Sequence, residues 1–131
     1  MGGYLKPESG VDLQGISVLG LAHVGDAVYE LMVRTWLCVR GVSTAKRLHN
    51  EAVALVSAKA QAAAAERLLP GLSENEMAVF KRGRNANIST AARGASIEEY
   101  HTATGIEALF GYLYLDGQTQ RLDELFELMV G

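Results

Sequence analysis

Apolar residues along this chain recur three or four positions apart, which is the spacing of one face of an α-helix. The longest such stretch runs from about Ser17 to Val39, and Gly41 is placed to end it. No stretch alternates β-branched and polar residues as a strand would, and no internal repeat is visible. The pattern therefore predicts an all-α chain.

Capping and breaking signals divide the remainder into four further helices. Ser43 or Thr44 can cap a helix that continues through an alanine-rich stretch to about Leu69, and a Pro-Gly break follows. Two capping boxes, in which a Ser and the Glu three residues later satisfy each other's backbone N–H groups, begin the next two helices. We predict these later helices at about 73–85, 96–116 and 119–129, with a loop at 86–95 that has room for one helical turn.

Composition bounds the kind of protein. The 131 residues are enough for one domain with a real core, so we predict a single domain over 1–131 in which 1–14 form a partly ordered lead-in. An apolar fraction of 49% excludes intrinsic disorder. Neither a signal peptide nor a membrane span is visible, so we expect a cytoplasmic protein with no membrane partner. The sole cysteine, Cys38, excludes a disulfide framework and is expected to be buried.

The charge distribution is more informative than the net charge of −3. Acidic residues collect toward the C-terminus, whereas the middle of the chain carries basic clusters with few acids between them. Such an arrangement can produce a basic face without a basic isoelectric point. From composition alone, an ordinary solvated surface is the simpler interpretation. The basic residues concerned are Arg40, Lys46, Arg47, Lys59, Lys81, Arg82, Arg84 and Arg93.

Two acids stand alone in apolar helical stretches. Asp26 has Ala22 one turn before it, and Glu107 has Thr104 and Gly111 around it, so small residues surround both carboxylates. A buried acid needs a cation, and two such acids suggest a shared one. The alternative is that each is a helix cap or forms a buried salt bridge with an arginine. The candidate arginines are Arg34, Arg47 and Arg84.

Glu30 lies one turn after Asp26 and has two interpretations. It could be a further acid on the same face, or it could pair with Arg34 four residues later. We favour the pairing, because Glu followed by Arg at this interval is a common pair on helix surfaces.

Four segments then resemble a known family. LAHVGDAVYELMVR is similar to the signature helix of ribonuclease III domains, and TGIEALFGYLYLDG resembles their second signature. LHNEAVALVSAKAQA and FKRGRNAN resemble the short, free-standing subfamily called mini-ribonuclease III. The resemblance runs from about Leu19 to Leu128, and from the length we expect no double-stranded-RNA-binding domain.

The resemblance implies the ribonuclease III endonuclease-domain helical bundle, acting as a homodimer on double-stranded RNA with Mg²⁺, for which Mn²⁺ could substitute. It assigns the metal-binding acids to Asp26 and Glu107. Full-length relatives carry acids where this chain has Ala22 and Thr104, so two of four acids are present, as in the short subfamily. The resemblance further implies maturation of precursor large-subunit (23S) ribosomal RNA. The rival hypothesis is a catalytically silent module that only binds duplex RNA.

Basic segments then become candidate RNA contacts, because Lys and Arg make most contacts to RNA phosphates. Of these residues we favour Arg84 and Asn85, with Arg84 as a cap of its own helix as the alternative. His23, Thr104 and Glu30 lie close enough in sequence to the two acids to be near the site, although His23 could equally be a structural histidine. The proposed RNA-binding residues are Lys46, Arg47, Lys59, Lys81, Arg82, Arg84 and Asn85.

Overall fold

The structure, a computed structural model, describes residues 2–7, 12–86 and 95–131. Within these ranges it contains six α-helices, two short 3-10 turns and no β-strand, which confirms the predicted all-α class. The predicted loop at 86–95 lies mostly outside the described residues. The helices are α1 (Val18–Val39), α2 (Ala45–Val56), α3 (Ala58–Leu68), α4 (Glu74–Arg84), α5 (Ile97–Leu115) and α6 (Thr119–Val130).

Helix starts follow the capping residues. Thr44 caps α2, and both predicted capping boxes are formed, at Ser73 with Glu76 and at Ser96 with Glu99. Each box satisfies two N–H groups that the first helical turn would leave unpaired.

One predicted helix is wrong, because the stretch from Thr44 to Leu69 forms two helices. Ser57 adopts an extended conformation, with φ −62° and ψ 153°, and its hydroxyl accepts a hydrogen bond from the backbone N–H of Ala60 at 3.2 Å. A serine side chain that bonds to nearby backbone competes with the helical hydrogen bonds. The alanine-rich composition hid this break, which separates α2 from α3.

Helix α5 is the centre of the fold and packs against α1, α4 and α3, while α6 covers α3. Its side chains are apolar on nearly every face, as expected of a helix enclosed by others. Ile106, Leu109, Phe110 and Leu113 are fully buried. The ring of Phe110 meets Tyr29 of α1 edge to face, with 5.4 Å between ring centroids.

Glycine pairs allow α5 to approach two neighbours closely. A Cβ atom on Gly25 of α1 would lie 1.6 Å from the carbonyl oxygen of Glu107, and one on Gly111 would lie 1.9 Å from that of Leu21. At the second crossing, a Cβ on Gly83 of α4 would lie 2.9 Å from the Cα of Gly105. No other residue has a side chain small enough for these contacts. The backbones of α1 and α5 therefore almost touch beside Asp26 and Glu107.

Cys38 is exposed on α1, so the prediction of a buried thiol is wrong. Its apolar neighbours in sequence suggested burial, but the buried face of α1 passes through Val33 and Leu37. Among the described residues, no helix is long and apolar enough to cross a membrane.

Candidate active site

The α1–α5 crossing brings the two predicted acids to the same cavity. Asp26 is exposed on α1, and Glu107 is half-buried on α5. The cavity has a volume of about 150 Å³. Its lining consists of Leu19, Ala22, His23, Asp26, Tyr100, Thr104 and Glu107.

Burial and the neighbouring carboxylate act together on Glu107. Loss of contact with water, followed by the negative charge of Asp26, raises the pKa of Glu107 to about 8, although a hydrogen bond from Gln61 opposes the shift. No Lys or Arg side chain in the described ranges forms an ion pair with Glu107. This pair is therefore an electrostatically incomplete site, which is typical of functional positions.

The salt-bridge alternative for these acids is wrong. None of the ion pairs formed within the described ranges involves Asp26 or Glu107. Arg34 pairs with Glu30 at 2.8 Å, as the spacing predicts. Arg47 pairs with Glu51 at 3.1 Å.

The three residues predicted to lie near the site divide into two groups. His23 and Thr104 line the cavity, whereas Glu30 does not and lines a different groove with Arg34. The Thr104 hydroxyl donates to the carbonyl oxygen of Tyr100 at 2.9 Å, so its proton is already committed and its lone pairs remain as acceptors. Tyr100 also lines the cavity but was not predicted from sequence, because its distance from α1 depends on how α5 crosses α1.

Gln61 of α3 also reaches Glu107. Its side-chain nitrogen Nε2 lies 3.4 Å from Oε2 of Glu107 and 2.9 Å from the carbonyl oxygen of Val56. Sequence reasoning assigned no role to this contact, which joins residues 46 positions apart.

The C-terminal end of α4 presents the second predicted group. Lys81, Arg82 and Asn85 are exposed, and the guanidinium of Arg84 lies over the Phe80 ring at 5.7 Å. The side chain of Arg84 donates to that of Asn85 at 3.3 Å. Among the described residues the side chain of Arg84 bonds to Asn85 and to no carbonyl oxygen of its own helix, so Arg84 does not cap that helix.

His101 anchors this basic end to α5. Its Nδ1 atom lies 2.8 Å from the carbonyl oxygen of Arg84. Gly83 is buried against α5, where an added Cβ would lie 2.7 Å from the Cβ of Ala108. These two contacts fix the end of α4 against α5. Tyr100, the residue before His101, lines the acid cavity, so the basic end of α4 has a defined position relative to that cavity.

The remaining basic candidates lie on other helices. Lys46 and Arg47 are exposed on α2, and Lys59 is exposed on α3. Arg47 is partly neutralised by Glu51, so Lys46 and Lys59 retain the freer charges.

The donor set fits a hard cation that keeps most of its water. Asp26 and Glu107 supply carboxylate oxygens, and among the described residues no group of three or more His, Cys, Asp or Glu side chains is placed to hold a metal. Mg²⁺ is commonly bound through one or two carboxylates with several waters, whereas a structural zinc site needs four protein ligands. Ala22 and Thr104 leave the space that waters require.

Comparison with known proteins agrees with this geometry. The model of the Ribonuclease III domain family matches residues 19–118. A protein of Thermoanaerobacter sp. named Mini-ribonuclease 3 is 41% identical over 133 residues, covering 99% of this chain and 94% of its own length. A protein of the same name from Symbiobacterium thermophilum is 48% identical over 109 residues, covering 83% of this chain and 84% of its own. A crystal structure of a Fusobacterium nucleatum protein superposes with a TM-score of 0.82 at 28% identity, covering 91% of this chain and 95% of that one.

Proposed function

The chain belongs to the ribonuclease III domain family and is an endoribonuclease, and from that premise we propose that it cleaves double-stranded RNA with Mg²⁺ held by Asp26 and Glu107. The observation that carries this proposal is the pair of carboxylates in one cavity, at a close crossing of two glycine-containing helices. Neither carboxylate forms an ion pair within the described part of the chain. An uncompensated buried acid costs stability, so its presence calls for a functional reason.

The residues of the chain have distinct tasks in this proposal. Asp26 and Glu107 bind the cation, while Ala22 and Thr104 leave room for its waters and for a phosphate oxygen. When bound, Mg²⁺ supplies Lewis-acid polarisation of the phosphodiester and a more acidic water. We expect products with 5′-phosphate and 3′-hydroxyl ends. Mn²⁺ could replace Mg²⁺, because it prefers similar oxygen ligands.

The basic end of α4 serves duplex binding in this proposal. Double-stranded RNA is recognised mainly through phosphates and 2′-hydroxyls, which need exposed Lys, Arg and amide groups. Lys81, Arg82, Arg84 and Asn85 meet that need, with Lys46, Arg47 and Lys59 as contacts from neighbouring helices.

Two copies of the chain would provide two sites. Leu31 of α1 is 57% exposed and Leu5 is 87% exposed, and both line an apolar groove of about 330 Å³ beside α1. Leu21, Ala22 and Gly25 of α1 are buried within the chain, so a dimer surface on this helix would use its exposed residues. A twofold homodimer matches the local twofold axis of duplex RNA. Sedimentation as a stable monomer at micromolar concentration would contradict it.

The biological substrate we propose is precursor ribosomal RNA, processed near the ends of the 23S molecule in the cytoplasm. A cation site with two protein carboxylates relies on the RNA itself for further oxygen ligands, which suits a structured substrate with well-placed phosphates.

Cleavage of an end-labelled RNA duplex tests the proposal directly. We expect cutting with MgCl₂, none with excess EDTA, and none of the matching single strand. Mapping of the ends should find 5′-phosphate and 3′-hydroxyl groups. Binding of the duplex without cleavage under any divalent cation would instead favour the silent binding module.

The RNA surface has its own test. Arg84→Met should weaken duplex binding in EDTA for every RNA sequence and reduce the slope of log affinity against log salt by about one. Arg67→Met is the matched control, because Arg67 donates to the carbonyl oxygens of Leu128 and Met129 and is proposed to contact no RNA.

A further inference from the structure

Gln61 is a neutral amide in the interior of the protein, where few such groups are found. It lies on α3, is 2% exposed, and its side chain sits between the end of α2 and Glu107 of α5. A buried amide is costly unless its donors and acceptor find partners. The partners that Gln61 has therefore indicate what it does.

The carbonyl group of Val56 determines the orientation of this amide. A carbonyl oxygen can only accept, so the side-chain atom 2.9 Å from it must be the NH₂ nitrogen Nε2. The second hydrogen of the same nitrogen is then available to Oε2 of Glu107 at 3.4 Å. The Val56 carbonyl is within reach because the extended Ser57 ends α2 there and starts α3.

The other half of the amide argues against a purely structural role. Oε1 of Gln61 is buried and has no hydrogen-bond partner within the described part of the chain. An unpaired buried acceptor lowers stability, whereas a methionine would fill a similar volume without that penalty. Packing alone therefore does not explain a glutamine at this position.

We propose that Gln61 is a positioning residue, which tethers Oε2 of Glu107 to the end of α2 and leaves the other carboxylate oxygen for the cation in the cavity. A donated hydrogen bond restricts rotation of the carboxylate and favours its charged form. Groups placed in this way behind a metal ligand commonly matter for affinity nearly as much as the ligand itself. The catalytic consequence rests on the proposed function, but the tether itself does not.

Gln61→Met is the central variant, with Arg67→Met on the same helix as the matched control. Both changes remove a side-chain link to backbone on another element, but only the first removes the contact with Glu107. We expect Gln61→Met to weaken binding of MnCl₂ to the RNA-free protein, measured by calorimetry, by about tenfold. In cleavage assays kcat should fall by a similar factor while KM for duplex RNA stays unchanged. Arg67→Met should change neither binding nor kcat.

Gln61→Glu separates a tether from a ligand. The ionised glutamate has almost the same shape as glutamine but cannot donate a hydrogen bond to Glu107, so at alkaline pH we expect weaker MnCl₂ binding and a lower kcat than in the wild type. Tighter MnCl₂ binding with a retained rate would overturn the proposal, because position 61 would then act as a ligand.

A readout without metal or RNA tests the contact itself. The side-chain NH₂ resonances of Gln61 should exchange slowly with water and shift on Glu107→Ala, whereas Glu66→Ala on the exposed face of α3 should leave them in place. Unshifted resonances, or wild-type metal affinity in Gln61→Met, would overturn the positioning role even if the protein cleaves RNA. Failure of the wild type to cleave RNA, with the resonance shift intact, would count against the proposed function alone.

Discussion

Two acids of this protein, Glu76 and Glu107, have lost most of their contact with water, and their surroundings differ in one respect. Glu76 is 6% exposed and receives two hydrogen bonds from Arg121, at 2.7 and 2.8 Å, besides one from the Ser73 N–H. Arg121 therefore holds the pKa of Glu76 below its usual range. Glu107 has Asp26 and a neutral amide as neighbours, and its pKa is raised to about 8.

The comparison separates a structural acid from a functional one. An acid matched by an arginine joins α4 to α6 and needs nothing further. An acid set beside another acid reduces stability until a cation arrives, so the fold itself does not explain it. Four experiments test whether the two acids differ in this way.

The largest effect should come from neutralising the acid pair. Asp26→Asn and Glu107→Gln should each abolish detectable cleavage of duplex RNA, and a loss of ~1000-fold corresponds to about 4 kcal/mol of transition-state stabilisation. Folding and duplex binding in EDTA should persist, because neither carboxylate builds the core. Glu76→Gln should keep most of its cleavage activity. A near-normal rate in Asp26→Asn would show that the site is wrongly placed.

The next effect should come from separating α1 and α5. In Gly25→Ala the added Cβ would lie 1.6 Å from the Glu107 carbonyl oxygen, so the helices must move apart, at a cost of about 3 kcal/mol or more. Gly71→Ala is the control, since nothing lies within 4 Å of its Cβ, and its stability should change by less than about 0.5 kcal/mol. Urea unfolding measures both. Equal stabilities would mean that the crossing is looser than described.

Removing the partner of the structural acid should have an effect of similar kind but smaller size. Arg121→Met leaves Glu76 buried without its cation and also removes the hydrogen bond to the Gly71 carbonyl oxygen, so we expect a loss of about 2–3 kcal/mol. Cleavage per folded molecule should be unchanged at a temperature where the variant is folded. A selective loss of activity would contradict the division between the two acids.

The smallest effect should be a pH dependence of opposite sign at the two acids. Because the pKa of Glu107 is raised, its carboxyl group stays protonated to a higher pH in the folded protein than in the unfolded chain. The contribution of Glu107 to the free energy of unfolding is therefore complete below about pH 4.5 and is lost as the pH rises toward 8. In EDTA, Glu107→Gln should therefore gain about 1–2 kcal/mol over the wild type at pH 8 and little at pH 5.

Glu76 should behave in the opposite way. Its lowered pKa means that it stabilises the fold above its usual value of 4.5 and loses that contribution as pH falls below it. Glu76→Gln should thus differ most from the wild type at neutral pH and converge with it in acid. Urea midpoints across the pH range check both slopes, and parallel curves for the two variants would show that the two acids contribute to stability in the same way.

Local features of this protein were determined by its sequence alone. Helical periodicity and capping boxes predicted the helices except for the break at Ser57, and the four-residue interval predicted the Glu30–Arg34 pair. These features depend on residues three or four positions apart, whose relative placement the helix itself dictates. The same local periodicity predicted the all-α class and marked Asp26 and Glu107 as lone acids in apolar helices.

Contacts between distant segments depend on how the helices pack. The partners Gln61 and Glu107 are 46 positions apart and Glu76 and Arg121 are 45 apart, and no periodicity within one helix connects them. The depth of the α1–α5 crossing, where a glycine meets a carbonyl group, determines that Asp26 and Glu107 share a cavity. The exposure of Cys38 likewise depends on which face of α1 is covered. Packing between distant segments sets such contacts. It therefore also gives Glu76 an arginine partner and places Glu107 beside another acid.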